Sequence, residues 1–282
     1  MSEAHRASGP VGDSFDGRFL EHPAFEIFEL SVRERLAAHE HFPAPSELRA
    51  LAADIPVARG LEFAFEPEDS AEVRAAGGFD RFIAETARIP TRAGSHHDLF
   101  GALIWLHFPL LKRALHRIQL EPGALGRSPT QNAATHFDES GVLVVSSDES
   151  VFQGLVDLNW PEVLWQRRAA LDETTRFLGF GHGLLDALRV PHPKILGMAL
   201  FVRASVAQLK LTPSELRICL DQNLSASLGK ALAEPACLRP LPVLGIPRWS
   251  NAQNAAFYQD EQYFRRARHK PRAAVVATWL EL

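Results

Sequence analysis

Ser95-His96-His97-Asp98-Leu99-Phe100-Gly101-Ala102-Leu103-Ile104-Trp105-Leu106-His107-Phe108-Pro109 decides the reading of the fold. Ser95 has the side chain of a helix cap, and Asp98 three positions on approximates a capping box. Leu99, Ala102, Leu103 and Leu106 then share one side of a helix. Pro109 suits the first position of a second helix, which runs to about Leu120. Upstream, Phe25, Phe28, Leu30, Val32 and Leu36 predict a helix beginning near Pro23 and ending before His39. A short helix is expected over Ser46–Ala53. Leu61 to Glu66 alternates as a strand does, and Gly77-Gly78 breaks the chain before a helix over Phe79–Ala87.

Downstream, Glu121–Thr130 reads as a Pro/Gly loop, and Asp138-Glu139-Ser140-Gly141 as a turn into a strand at Val142–Val145. Phe152–Leu171 is mostly helical, with a break at Pro161. Thr174–Phe180 reads as a strand that enters Gly181-His182-Gly183 and then a helix to about Leu188. Ile195–Val202 fits strand or helix, since periodicity does not arbitrate so apolar a run. Thr212 caps a helix over Pro213–Lys230, and the Pro-rich Arg239–Trp249 reads as an extended loop laid on the surface of the core. The sum is an α+β fold, a single mainly helical domain around a small sheet over residues 17–282, behind a flexible N-terminal tail over 1–16.

Composition narrows the function classes. An apolar fraction of 46% supports a sizeable core, and a net charge of −4 disfavours nucleic acid as a partner. Only Lys112, Lys194, Lys210, Lys230 and Lys270 are lysines, so arginine dominates the cations. Two cysteines, Cys219 and Cys237, make neither a CxxC pair nor a zinc site, and Cys219 reads as a small core residue. No leader with an apolar stretch opens the chain, and no apolar run approaches the roughly 20 residues that span a bilayer. A cytoplasmic protein without a membrane partner is expected.

Three stretches carry a resemblance: His96 to Pro109, Thr135-His136-Phe137-Asp138-Glu139-Ser140-Gly141-Val142, and the tail from Pro240 to Arg265, with Phe180-Gly181-His182-Gly183 between them. Together they resemble the bacterial family catalogued as domain of unknown function 3025. That family's first stretch usually has Asn where this chain has Gly101. The resemblance groups the motifs and implies no established activity.

The grouped residues suggest chemistry. His97, Asp98, Asp138 and His182 are types that ligate a divalent metal, and Glu139 would remain as general base. The metal's identity is open. Each also has a plain structural role available: Asp98 as a capping residue, Asp138 and Glu139 as turn formers, His182 as a core imidazole. Gly181 and Gly183, between a strand and a helix, suggest a backbone cradle for an anion, although the spacing is not that of a dinucleotide fingerprint. No nucleophile elbow occurs. Arg265, Arg266, Arg268, His269, Lys270 and Arg272, near Trp249, Tyr258, Tyr263 and Phe264, read better as a solvated face over buried aromatics than as a stacking platform for nucleic acid. Two functions follow as expectations. One is a metal-assisted hydrolase acting on a small or phosphorylated substrate. The other is a non-catalytic protein that binds an anionic ligand or a protein partner.

Overall fold

The computed structural model describes residues 15–58, 63–122, 126–193, 195–266 and 280–281. The fold is α+β. Helices α1 (Leu30–Ala37) and α2 (Pro45–Leu51) precede a two-stranded parallel sheet of β1 (Ala64–Pro67) and β2 (Arg88–Thr91), between which lie α3 (Ser70–Ala75) and α4 (Phe79–Thr86). Helices α5 (His96–His107), α6 (Pro109–Leu120) and α7 (Pro129–Ser140) follow. Then come β3 (Gly141–Ser146), α8 (Glu149–Val156), a π-helical turn at Pro161–Gln166, α9 (Arg168–Thr174), β4 (Thr175–Gly179), α10 (His182–Ala187), β5 (Leu196–Arg203), α11 (Val206–Leu209), α12 (Pro213–Ala231), β6 (Arg239–Pro242) and β7 (Leu280–Glu281).

The main sheet has the order β4-β3-β5-β6, with β7 pairing the far end of β5. β3 lies antiparallel to β4 and parallel to β5, and β6 runs antiparallel to β5. Every residue of β3 is buried. A strand covered on both faces needs an unbroken apolar run, which Val142–Val145 supplies.

Several expectations change. Phe25 and Phe28 sit in tight turns before α1, and their rings stack on Phe100 of α5 at centroid distances of 5.4 and 6.4 Å. Their apolar spacing serves an aromatic cluster, so α1 begins only at Leu30. Phe15, assigned to the tail, is buried against Phe42 and His96. Residues 1–14, and residues 61 and 62 of the expected first strand, lie outside the described residues. The expected loop over Glu121–Thr130 ends earlier, because Ser128 and Gln131 form a capping box for α7. Asp138 and Glu139 therefore stand in the last turn of a 12-residue helix rather than in a turn. Ile195–Val202 resolves as a strand. Arg239–Trp249 is no surface loop: it supplies β6, and Leu241, Val243, Leu244, Ile246 and Trp249 are buried. Tyr263 holds it in place, donating its hydroxyl to Ile195 O at 2.8 Å and accepting from Leu244 N–H at 3.0 Å. Cys219 is only half-buried, whereas Cys237 is buried.

Helix α6 lacks a cap from its own chain end, since Phe108 offers no acceptor. Asp221 of α12 replaces it. Its two carboxylate oxygens accept from Leu111 N–H at 2.8 Å and Leu110 N–H at 3.2 Å. Burial pushes the Asp221 carboxyl up to about 6 from an ordinary 3.8. A raised carboxyl binds its proton more tightly folded than unfolded, so its stabilisation is full below about pH 4 and is lost as pH rises through about 6. Denaturant titration of Asp221→Asn should therefore show stability gained relative to wild type between pH 4 and pH 7. Asp221→Ala, which strands two buried amides, should cost about 1–3 kcal/mol throughout.

Candidate functional site

Three helix ends build the site. The first is the start of α5, where Ser95 Oγ accepts from Asp98 N–H at 3.2 Å. Asp98 does not complete the capping box. Its carboxylate turns to Arg92, accepting from the backbone N–H at 2.8 Å, from Nε at 2.9 Å and from the guanidinium end at 2.7 Å. Burial would raise the Asp98 carboxyl, but Arg92 and His97 outweigh it and hold the group well below the usual range.

The second is the last turn of α7. Asp138 accepts from Lys112 Nζ at 2.6 Å, and that lysine side chain is only 4% exposed. Burial again opposes ionisation of Asp138, and Lys112 and His182 overcome it, leaving the carboxyl at about 2. Glu139, the next residue, is 47% exposed and faces both site histidines.

The third is the start of α10, and here the glycines explain the contact. Gly141 O accepts from Phe180 N–H at 2.8 Å and from Gly181 N–H at 2.9 Å. A Cβ on Gly181 would stand 2.4 Å from the backbone nitrogens of Ser140 and Gly141, and one on Gly183 would stand 2.7 Å from Glu139 Oε2. Only glycine lets α10 rest on the end of α7 this closely. Neither glycine adopts a positive φ. The Gly181 amide is committed to Gly141, and α10 is six residues long. The pair therefore serves close approach of the two elements.

The outcome is a paired arrangement around one carboxylate. His97 places Nδ1 3.4 Å from Asp98 Oδ1 and Nε2 3.4 Å from Glu139 Oε2. His182 places Nδ1 3.8 Å from Asp138 Oδ1 and Nε2 3.5 Å from Glu139 Oε1. The two rings meet edge to face at 4.4 Å. Hydrogen bonding to Asp98 and then Glu139 pushes His97 up to about 9. Burial pushes His182 down despite the nearby Asp138. His182 Nδ1 is buried with no hydrogen-bond partner. Thus His97, Glu139 and His182 converge with ligand atoms within 4.8 Å of one another, while Asp98 and Asp138 stand one layer behind them. His39, His41 and Glu47 make a second such group, but two of the three are only half-buried and His41 is exposed.

The three residues open on a cleft of about 470 Å³. Its walls include His97, Gly101 and Trp105 of α5, Lys112, His116 and Gln119 of α6, and Thr135, Asp138 and Glu139 of α7. The α6 residues follow the i, i+4, i+7 spacing of one helix face. That polar stripe on a helix with buried Leu111, Leu115 and Ile118 was the readable signal for Lys112 and His116, which the sequence reading omitted. His116 Nδ1 lies 3.0 Å from Asp80. A Cβ on Gly101 would meet nothing within 4 Å. A larger cavity, about 550 Å³, runs along β4 and the start of α12 and contains none of the expected site residues.

The C-terminal cluster forms no stacking platform among the described residues. Trp249, Tyr258, Tyr263 and Phe264 are buried, and Arg266 is engaged by Gln259 and Glu261. Arg268, His269, Lys270 and Arg272 lie outside the described residues. Among the described residues no helix is long and apolar enough to cross a membrane.

Fold and cleft together define an α+β protein in which His97, Glu139 and His182 meet at the junction of three helices. The chain belongs to the family described as protein of unknown function (DUF3025), which it matches over residues 63–268, a range that holds all of these helices. No curated protein and no solved structure matches it.

Because backbone atoms crowd the missing Cβ, Gly181→Ala should lower stability by about 1–3 kcal/mol in denaturant titration. Gly101→Ala, facing open space in a helix interior, should instead stabilise by a few tenths to about 1 kcal/mol.

Proposed function

We propose that this protein is a metal-assisted hydrolase acting on a small or phosphorylated substrate, with His97, His182 and Glu139 as the ligands of a divalent metal. One observation carries the reading. His97 has Asp98 3.4 Å from Nδ1, His182 has Asp138 3.8 Å from an Nδ1 that makes no hydrogen bond, and both turn Nε2 toward Glu139, at 3.4 and 3.5 Å. A charge-assisted hydrogen bond would be nearer 2.7–2.9 Å. Ligands bound at about 2.1 Å in a tetrahedron stand about 3.4 Å apart. The arrangement of carboxylate, imidazole and metal, in which an outer carboxylate orients the ring, is common to metal sites.

The sequence reading made Asp98 and Asp138 ligands and Glu139 the base. The geometry favours a different division. Asp98 and Asp138, already held by Arg92 and Lys112, orient the two imidazoles. Glu139 closes the ligand set, its Oε2 facing His97 and its Oε1 facing His182. A bound metal would supply an activated water and a polarised substrate oxygen. Lys112, paired with Asp138, holds that carboxylate ionised beside His182. Among the described residues neither Cys219 nor Cys237 is held in a disulfide, which suits the reducing cytoplasm where we place the protein.

Elemental analysis of protein purified without chelators tests this directly. Near-stoichiometric zinc, manganese or iron is expected in wild type, with loss in His97→Ala, His182→Ala and Glu139→Gln. Asp98→Asn and Asp138→Asn should keep the site and weaken metal affinity about 10–100-fold. A divalent ion at 100 times its Kd should stabilise wild type by about 2.7 kcal/mol. No bound metal, and no divalent ion that raises Tm, would end the hydrolase reading and leave the cleft as a ligand pocket.

A further inference from the structure

The cleft has a second functional end. Helices α6 and α7 run antiparallel along it, fastened at one end by Lys112 and Asp138 and at the other by Gln119 Nε2, which donates to Thr135 Oγ1 at 2.9 Å and to Gln131 O at 3.3 Å. Arg127 sits on that second fastening. Its Nε donates to Asn132 Oδ1 at 3.3 Å, and one terminal nitrogen donates to Gln119 Oε1 at 2.8 Å, to Gln131 O at 3.2 Å and to Thr135 Oγ1. All of these acceptors are neutral. Among the described residues no carboxylate pairs with Arg127, in contrast to Arg92 and Lys112 in the same cleft. The other terminal nitrogen, with two N–H groups, makes no hydrogen bond to a described residue.

A guanidinium fixed by four neutral acceptors is oriented without being neutralised. Arginine in that state is suited to take the oxygens of a carboxylate or phosphate side by side. Its position along the cleft follows from the helix. Thr135 and Gln131 lie four and eight residues before Glu139, so the guanidinium stands on the order of 6–12 Å from the metal end at 1.5 Å per residue. Gly101 leaves the stretch between open, with nothing within 4 Å of where a side chain would begin.

We propose that Arg127 is the anion-binding end of the cleft, so that the substrate is a small molecule with its reacting group at His97, Glu139 and His182 and an oxyanion held at Arg127. The proposal deepens the metal-hydrolase reading of this cleft and rests on it for the reacting end. Glu68, Asp80, Asp98, Asp138 and Glu139 line the same cleft. They repel anions that lack the second anchor, so recognition depends on chain length as well as charge.

The test uses metal-loaded full-length protein and a ladder of straight-chain α,ω-dicarboxylates from succinate to suberate, with Kd read by calorimetry and acetate as the single-anion control. Wild type should show an affinity optimum at an intermediate length, at least tenfold tighter than acetate. Arg127→Gln should flatten the ladder to the acetate level with its metal content unchanged. Arg127→Lys, which keeps the charge but not the fork, should recover part of the optimum. Replacing one carboxylate of the best rung by phosphonate then identifies the preferred anion, and tighter binding of either form through Arg127 supports the proposal. Equal ladders for wild type and Arg127→Gln, or no rung tighter than acetate, would overturn it. If metal-stripped protein binds the best rung as tightly and still needs Arg127, the anion site stands and the metal-hydrolase reading is what fails.

Discussion

The contact between the end of α7 and the start of α10 is the constraint on which the site depends. One carbonyl, Gly141 O, takes both Phe180 N–H and Gly181 N–H, and two missing side chains let the backbones meet. Gly141 itself tolerates no Cβ, since one would stand 2.3 Å from Phe137 O. Gly181 and Gly183 thus allow the close approach of Glu139 and His182, and Gly141 lets the chain turn tightly past Phe137. The sheet reinforces them: β3 leaves α7 at Gly141 and pairs with β4, which delivers the chain to Gly181. Phe137 and Phe180, stacked at 4.7 Å, fill the space beneath.

The electrostatics follow from that geometry. Five carboxylates, Glu68, Asp80, Asp98, Asp138 and Glu139, are brought to one cleft, and the more enclosed Asp98 and Asp138 each meet a cation that offsets desolvation. Arg92 meets Asp98 and Lys112 meets Asp138, the latter pair almost fully withdrawn from water on the lysine side. Breaking a buried pair by removing one partner is costly because the other is left charged in a poor solvent. Asp98 and Asp138 are each held by a full-time cation, whereas Glu139 is met, among the described residues, by its two histidines.

Much of this was legible in local pattern. Ser95 capping α5, Pro109 opening α6 and Thr212 capping α12 carry their physical cause in neighbouring residues, and the helices follow. His97, Glu139 and His182 were legible as residue types on separated motifs. Their convergence, with Asp98 and Asp138 set behind them, was not, because it depends on which cation each aspartate meets, and Arg92, Lys112 and their partners are joined only by folding. Helix α7 was missed because Gln131, Asn132, Thr135 and His136 mask the buried Ala133, Ala134 and Phe137. The burial of Arg239–Trp249 was missed for a similar reason. Proline-rich composition suggests a surface segment, and only pairing with β5 and the two bonds of the Tyr263 hydroxyl draw it inside.

The early turns are tied to α12 by a buried ion pair. Arg217 donates to Ile27 O at 2.9 Å and pairs with Glu29, whose carboxylate also accepts from Ser214 Oγ at 2.6 Å, across 185 to 190 positions of chain. Parallel pairing of β3 with β5 likewise joins segments separated by several helices. Contacts so distant along the chain must close large loops before they return any stabilisation, and such topologies fold slowly. The helical hairpin of α6 and α7 is local by comparison. The natural order of assembly is then a cleft wall first and the junction with α10 last, completed only when β4 brings α10 home, so that a partly folded chain would present Glu139 and His97 without His182.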